Sequence, residues 1–370
     1  MNGSDVTASS RGRGGALSGL DRAAIDRFCC QYLQLETHLD YPHGQLLKRP
    51  EIQDEIFDRV FSGQSHSAKK PRLQLRALKE LVARIQASIS DEEADDYAVS
   101  DKLMDHLGEL MSHPLMPVAD EAQQRCIVTY HLSLLQPPVD IDILENRALI
   151  SAAGTTGLRT WEAALHLGQF LCVNAHLVAG KRVLELGAGT GYLSVLCAKH
   201  LGAVHVTASD GAEEVVDNLA DNFTLNGLDW GFSSSRRARL SPKLLKWGHA
   251  LVGTEEPEWL GGQKLDLIVG ADVIYDQRTI PPLVSTLNEL LGLHLGAEVI
   301  IAATQRTIKT LAAFQDACAR SSLRVNELGF SAQEQHNVLD DRGQPHGPLT
   351  PFYPTHTPIR ILHISAMKAP

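Results

Sequence analysis

An acidic residue followed by three alternating glycines carries the first chemical signal in this chain. Glu185 stands two positions before Gly187, and Gly189 and Gly191 follow at steps of two, within Val-Leu-Glu-Leu-Gly-Ala-Gly-Thr-Gly (183–191). Glycines so placed let the chain turn tightly and let a ligand reach the main chain. A dinucleotide fingerprint would need a small residue three positions after Gly189. That position holds Tyr192. The pattern suits a ligand that lacks a pyrophosphate and carries a cationic amino-acid part. Asp210 lies 25 residues beyond Glu185, at the end of the next apolar run. A carboxylate there can accept both hydroxyls of a ribose. Trp161 and Trp247 are the aromatic candidates, since an indole face suits an adenine ring or a sulfonium. Each is also compatible with a place in a core. S-adenosylmethionine has all these parts, and it is the expected cofactor.

These residues need a frame. Short β-rich runs alternate with helical segments after about residue 145. The runs 182–187, 204–210, 265–274 and 298–305 read as buried strands, and 324–330 and 360–366 are two more candidates. Helices are expected near 190–201, 213–225, 279–294 and 308–321. Such alternation implies an α/β fold with a doubly wound, mostly parallel sheet, whose ligands bind outside the carboxyl ends of the strands.

The part before it has a helical period. Ile25, Phe28, Cys29, Tyr32, Leu35 and Leu39 fall on one stripe, and Leu78, Leu81, Val82 and Ile85 on a second. Leu103, Met104, Leu107 and Met111 suggest a third stripe, and Cys126, Ile127 and Tyr130 a fourth. Pro137 and Pro138 break the pattern and mark the approach to the second part. The expected organisation is a disordered tail over 1–20, a small helical domain over 21–145, and a transferase domain over 146–370.

Composition narrows the class. The chain has 370 residues, 44% of them hydrophobic, and a net charge of −10. An acidic surface is a poor footprint for nucleic acid and suits a partner with a basic patch. No run of 18 apolar residues occurs, so no membrane span is expected. The polar start lacks the apolar segment of a secretory signal. The six cysteines, Cys29, Cys30, Cys126, Cys172, Cys197 and Cys318, form no CxxC pair and sit mostly in apolar patterns. Reduced thiols in a cytoplasmic protein are expected, with no metal site.

GTTGLRTWEAAL (154–165), VLELGAGTGYLSVL, the strand ending in Asp210, LLKWG (244–248) and GADVIY (270–275) together resemble the seven-β-strand protein lysine methyltransferases. Asp272-Val273-Ile274-Tyr275 looks like their DxxY motif. GTTGLRTW behind a long helical region more narrowly resembles the elongation factor 2 lysine methyltransferases. The resemblance implies a Rossmann-like seven-stranded class I methyltransferase domain. It implies that Trp161, the Gly187-Ala188-Gly189 turn, Asp210, Trp247 and Ala271 contact the cofactor. It implies that Asp272 and Tyr275 face the lysine of a protein substrate, here elongation factor 2. The segment 331–358, rich in Gly, Pro and His, departs from the family pattern. No family residue carries over onto it.

Transfer of a methyl group from a sulfonium is an in-line displacement, so alignment is most of the task. The lysine must be neutral to attack, yet its free pKa of about 10.4 keeps it charged at neutral pH. Asp272 can orient the amine, although its charge alone would hold the proton on. Three other readings compete. A nucleic-acid amino-methyltransferase would carry a proline pair where Val273 and Ile274 stand. A small-molecule enzyme would not obviously need the helical region. A non-catalytic cofactor-binding protein would not need an intact DVIY. A monomer is expected, with no nucleic-acid or membrane partner.

Overall fold

The computed structural model describes residues 17–63, 70–146, 156–230, 239–249, 251, 264–332 and 351–367. Of the expected tail over 1–20, residues 1–16 lie outside the described residues, and its end is corrected, for Ser18 to Leu20 already cap and begin the first helix; most of the 331–358 segment also lies outside the described residues.

Among the described residues six α-helices come first: α1 (Gly19–Leu33), α2 (Gly44–Leu47), α3 (Pro50–Ile56), α4 (Pro71–Ser88), α5 (Asp101–Ser112) and α6 (Val118–Gln123). Ser18 starts α1 with a reciprocal cap. Its hydroxyl accepts from the Asp21 amide at 3.1 Å, and the Asp21 carboxylate accepts from the Ser18 amide at 3.2 Å. The first two stripes are core faces. Ile25, Phe28, Cys29 and Tyr32 on α1, and Leu78, Leu81, Val82 and Ile85 on α4, are all buried. The third is only partly so: Leu103 is buried, but Met104 and Met111 are exposed.

The expected fourth helical stripe is a strand. Residues β1 (Cys126–Leu132) and β2 (Val139–Glu145) pair antiparallel, with Val128 opposite Ile143 and Tyr130 opposite Ile141. The apolar side chains alternate, as on a strand with one face covered, although Thr129 between them is buried too. Val128, Tyr130 and Leu132 point inward, as do Ile141, Ile143 and Glu145. Pro137 and Pro138 lie in the connection of this hairpin, inside the region that the sequence presents as helical.

The rest alternates as expected: α7 (Glu162–Val173), β3 (Arg182–Leu186), α8 (Tyr192–Lys199), β4 (His205–Asp210), α9 (Glu213–Leu225), β5 (Arg239–Leu244), β6 (Leu267–Ala271), α10 (Ile280–Leu293), β7 (Glu298–Thr304), α11 (Ile308–Arg320), β8 (Leu323–Leu328) and β9 (Ile359–Ala366). Seven strands form one sheet in the order β5-β4-β3-β6-β7-β9-β8. Neighbours are parallel from β5 through β7, and β9 runs antiparallel between β7 and β8.

Strand residues alternate between two apolar layers. Val183, Val206 and Ile300 join a cluster that continues through the hairpin residues Val128 and Ile141 to Ile25 and Phe28 of α1. Leu184, Ile268 and Ile301 face the other layer, with Leu283, Leu287 and Phe314. Polar bonds fix the hairpin to the sheet layer. Asn222 on α9 accepts from the Leu144 amide at 2.7 Å and donates to the Thr190 carbonyl at 2.9 Å. One turn on, Asn226 donates to the Asp142 carbonyl at 2.6 Å. The Tyr130 ring meets Tyr192 edge-on at 5.3 Å.

Candidate active site

The carboxyl ends of β3, β4, β6 and β7 open onto a cavity of about 510 Å³. Its floor is the glycine turn after β3. Gly187 has φ +65°, and a Cβ there would lie 2.8 Å from Val273 Cγ1 and 3.5 Å from the Trp247 ring. Only glycine fits that position. Ala188 and Gly189 line the same cavity. Gly191 does not line it. This glycine begins α8 at φ +78°, where a Cβ would meet Leu219 at 2.7 Å. Its requirement comes from packing against α9.

Two carboxylates flank the turn. Asp210 ends β4, and its two oxygens accept from the Gly189 and Ala212 amides, each at 3.1 Å. Burial raises the Asp210 carboxyl above its ordinary range, and the backbone donors at Gly189, Ala212 and Gly211 oppose that rise. A carboxylate has about four acceptor positions, so two amide bonds leave room for a diol. Glu185 is 3% exposed and accepts from the Ser194 hydroxyl. Burial pushes its carboxyl from 4.5 up to about 8; the Ser194 bond pulls it down, and the nearby Asp210 charge adds to the rise.

The segment before α7 forms one wall. Thr160 hydrogen-bonds Thr190 at 2.7 Å, and its amide donates to Glu145 at 3.1 Å. Glu145 also accepts from the Tyr130 hydroxyl at 2.7 Å, so the hairpin end braces this wall. Trp161 donates its indole N–H to the Thr156 carbonyl at 3.1 Å. The guanidinium carbons of Arg159 and Arg306 lie 4.8 and 5.3 Å from its ring centre. Trp247 is half-buried beside Gly187.

Another wall holds the DxxY segment. β6 ends at Ala271, which lines the cavity, and Asp272 follows with φ +53°. A non-glycine residue in that conformation turns the chain sharply out of the strand. The turn brings Asp272 and Tyr275 to one cavity, although positions i and i+3 of a continuing strand would face apart. Asp272 is 9% exposed. One of its oxygens accepts from the Thr304 amide at 2.9 Å, and the other pairs with Arg306 at 3.4 Å. Tyr275 is exposed, whereas Val273 and Ile274 are buried in the apolar layer of α10.

Every expected site residue except Gly191 lines this one cavity. Arg159, Lys246 and Arg306 line it too, and sequence reasoning passed over them. Arg306 was findable: it stands two residues past the end of β7, on the edge of the sheet where ligands bind.

The residues fit a nucleoside carrying an amino acid. The cavity volume is that of a typical small-ligand site. Asp210 offers acceptors for a ribose, the glycine turn a close main-chain approach, and Glu185 an acid near a cationic group. With the sheet order above, these features define a class I methyltransferase with S-adenosylmethionine as its cofactor.

The protein-family model described as "Lysine methyltransferase" matches residues 143–318. "Protein-lysine N-methyltransferase EFM3" of Chaetomium thermophilum is 50% identical over 91% of this chain and 96% of its own length. The Saccharomyces cerevisiae protein of the same name is 34% identical over 61% of this chain and 66% of its own. "Protein-lysine N-methyltransferase EEF2KMT" of Homo sapiens is 32% identical over 61% and 67%. The chain belongs to this family of protein-lysine N-methyltransferases. No helix among the described residues is long and apolar enough to cross a membrane.

Proposed function

We propose that this chain methylates a lysine of elongation factor 2 in the cytoplasm, acting as a monomer. One observation carries the chemical part. A single cavity joins the Asp210–glycine-turn region to Asp272 and Tyr275. The substrate part is supported by the human relative, whose symbol carries EEF2. It is supported also by the extent of the match to the Chaetomium protein, since 91% of the chain must include helices ahead of residue 143. We assign substrate recognition to the helical region over 21–145, with 331–358 helping to choose the target.

The roles within the cavity follow. Asp210 holds the ribose hydroxyls, and the Gly187–Gly189 turn lets the main chain approach the ligand. Trp161, Trp247 and Ala271 wall the cofactor. Glu185 faces the cationic amino-acid end. The cofactor, when bound, supplies an activated methyl group on a sulfonium. Asp272 aims the lysine amine along the line of attack, and Tyr275 covers it with its ring or hydroxyl. The amine's lone pair makes the new N–C bond as the S–C bond breaks, so positioning supplies most of the rate.

Labelled cofactor, a eukaryotic cell extract and a gel test the substrate reading, with purified elongation factor 2 run in parallel. Label in elongation factor 2 in both lanes is expected. Label confined to RNA, to small metabolites or to another protein band would overturn it.

A further inference from the structure

Asp272 presents a chemical difficulty: an anion beside a lysine holds its proton on, yet the reaction needs the neutral amine. The structure holds a second charge at that point. Arg306 follows β7, and its main chain is pinned from both sides. The Arg306 amide donates to the Thr304 carbonyl, and the Gln305 amide donates to the Pro358 carbonyl, each at 2.8 Å. From this turn the guanidinium reaches back to Asp272 at 3.4 Å and lies over the Trp161 ring at 5.3 Å. The Asp272 side chain is 9% exposed and that of Arg306 52%. The pair is thus buried on its acid side and open to the cavity on its basic side. At 3.4 Å the contact is long for a charge-assisted bond, so an arriving amine can share the carboxylate.

We propose that Arg306 is a positioning residue whose guanidinium offsets the Asp272 carboxylate, so that the acceptor lysine meets Asp272 as a neutral amine. The amine's proton leaves to solvent before attack, and Asp272 then accepts a hydrogen bond from an uncharged NH₂ group. This rests on the proposed placement of the lysine against Asp272. The other charged or titratable groups lining the cavity are Arg159 ahead of α7, Glu185 near the end of β3, Tyr192 at the start of α8, Asp210 ending β4, Lys246 after β5 and Tyr275 after β6. They are common to wild type and variants, so a shift between proteins reports Arg306 alone.

The test is the pH profile of the single-turnover rate, with cofactor saturating and elongation factor 2 as acceptor. Should the wild type leave that protein unlabelled, the substrate reading fails, and the profile is taken on total extract protein. The rate rises with pH as the bound amine loses its proton. Arg306→Gln is expected to move that limb up by about one pH unit, the low end for a charge within about 4–6 Å, because the guanidinium is half exposed. Arg306→Lys keeps the charge and is expected to restore the limb. A limb in Arg306→Gln that coincides with wild type, even at a lower plateau, would overturn the proposal, and so would a downward shift. Calorimetry of acceptor binding to enzyme loaded with S-adenosylhomocysteine, in two buffers of different ionisation heat, counts protons without turnover. Fewer protons released by Arg306→Gln near pH 8 is expected, and an equal number counts against it. Asp272→Asn separates the two levels. Full turnover in that variant removes the lysine from Asp272, whereas slow turnover with an unmoved Arg306→Gln limb overturns the Arg306 role alone.

Discussion

Replacing Glu185 with glutamine separates the cost of a buried carboxylate from its use in the cavity. Burial raises this carboxyl from 4.5 to about 8, against hydrogen bonds from the Ser194 hydroxyl and the Ser194 backbone. A shift of that size corresponds to about 5 kcal/mol of linkage between ionisation and unfolding. The sign follows from the direction. The folded-state value is raised, so the stabilisation is fully present below 4.5 and is lost as pH rises through 8. Glutamine has nearly the same shape, can still accept from Ser194, and does not titrate. Across pH 6 to 9 the wild type is therefore expected to lose about 2 to 3 kcal/mol relative to Glu185→Gln. Urea unfolding of the cofactor-free proteins at several pH values, with reductant present, reads this directly. A stability difference that stays constant from pH 6 to 9 would show that burial does not govern Glu185, and the reasoning would fail.

Asp210→Ala removes two bonds to a charged acceptor, each worth about 1.5–3 kcal/mol. Calorimetric titration should show S-adenosylmethionine binding weakened by about a hundredfold or more from a micromolar-range wild type, and unchanged affinity would take Asp210 out of the site. Asp272→Asn should keep cofactor affinity within about threefold and lower turnover by about a hundredfold, near 2.7 kcal/mol of transition-state stabilisation; near-normal turnover with an intact fold would sink its role. Gly191→Ala should cost about 2–4 kcal/mol, since a left-handed conformation and a 2.7 Å approach to Leu219 both oppose the new methyl group. Gly227→Ala is the control, with φ +68° and open space around it; equal losses in chemical denaturation of the two variants would discount the Leu219 clash.

The sheet was legible because its central strands are buried on both faces. Runs such as Leu265–Ala271 are nearly continuous in apolar residues and short, as strands buried on both faces are. The edge strand β5 offered less, for Arg239-Leu240-Ser241-Pro242-Lys243-Leu244 has one neighbour and carries a proline. The hairpin misled for a definite reason. Cys126 and Tyr130 are four apart, a spacing that fits one face of a helix and one face of a strand alike. The deciding signal was the alternation of Val128, Tyr130 and Leu132 with Ile141 and Ile143. Most of the cavity followed from local motifs, because glycines and acids at strand ends act where they stand. The place of Arg306 just past β7 was readable, but its partners were not, since they are Asp272, 34 residues earlier, and Trp161, on the far wall. Nor was the positive φ of Asp272, which no residue type at that position announces.

Strand β9 lies between β7 and β8, yet it is made after both. During synthesis, β8 emerges from the ribosome with no sheet partner, and β7 waits with one edge bare. Vectorial folding can therefore assemble β3, β4, β6 and β7 early but must leave the far side of the sheet open until residues 359–366 arrive. A message broken before Ile359 would yield a chain that carries every residue of the cavity and an unpaired strand edge beside it. Such edges template association with other chains, and incompletely paired sheets are prone to aggregate. The order of the strands thus makes completion of the polypeptide a condition for joining β8 to the rest of the sheet.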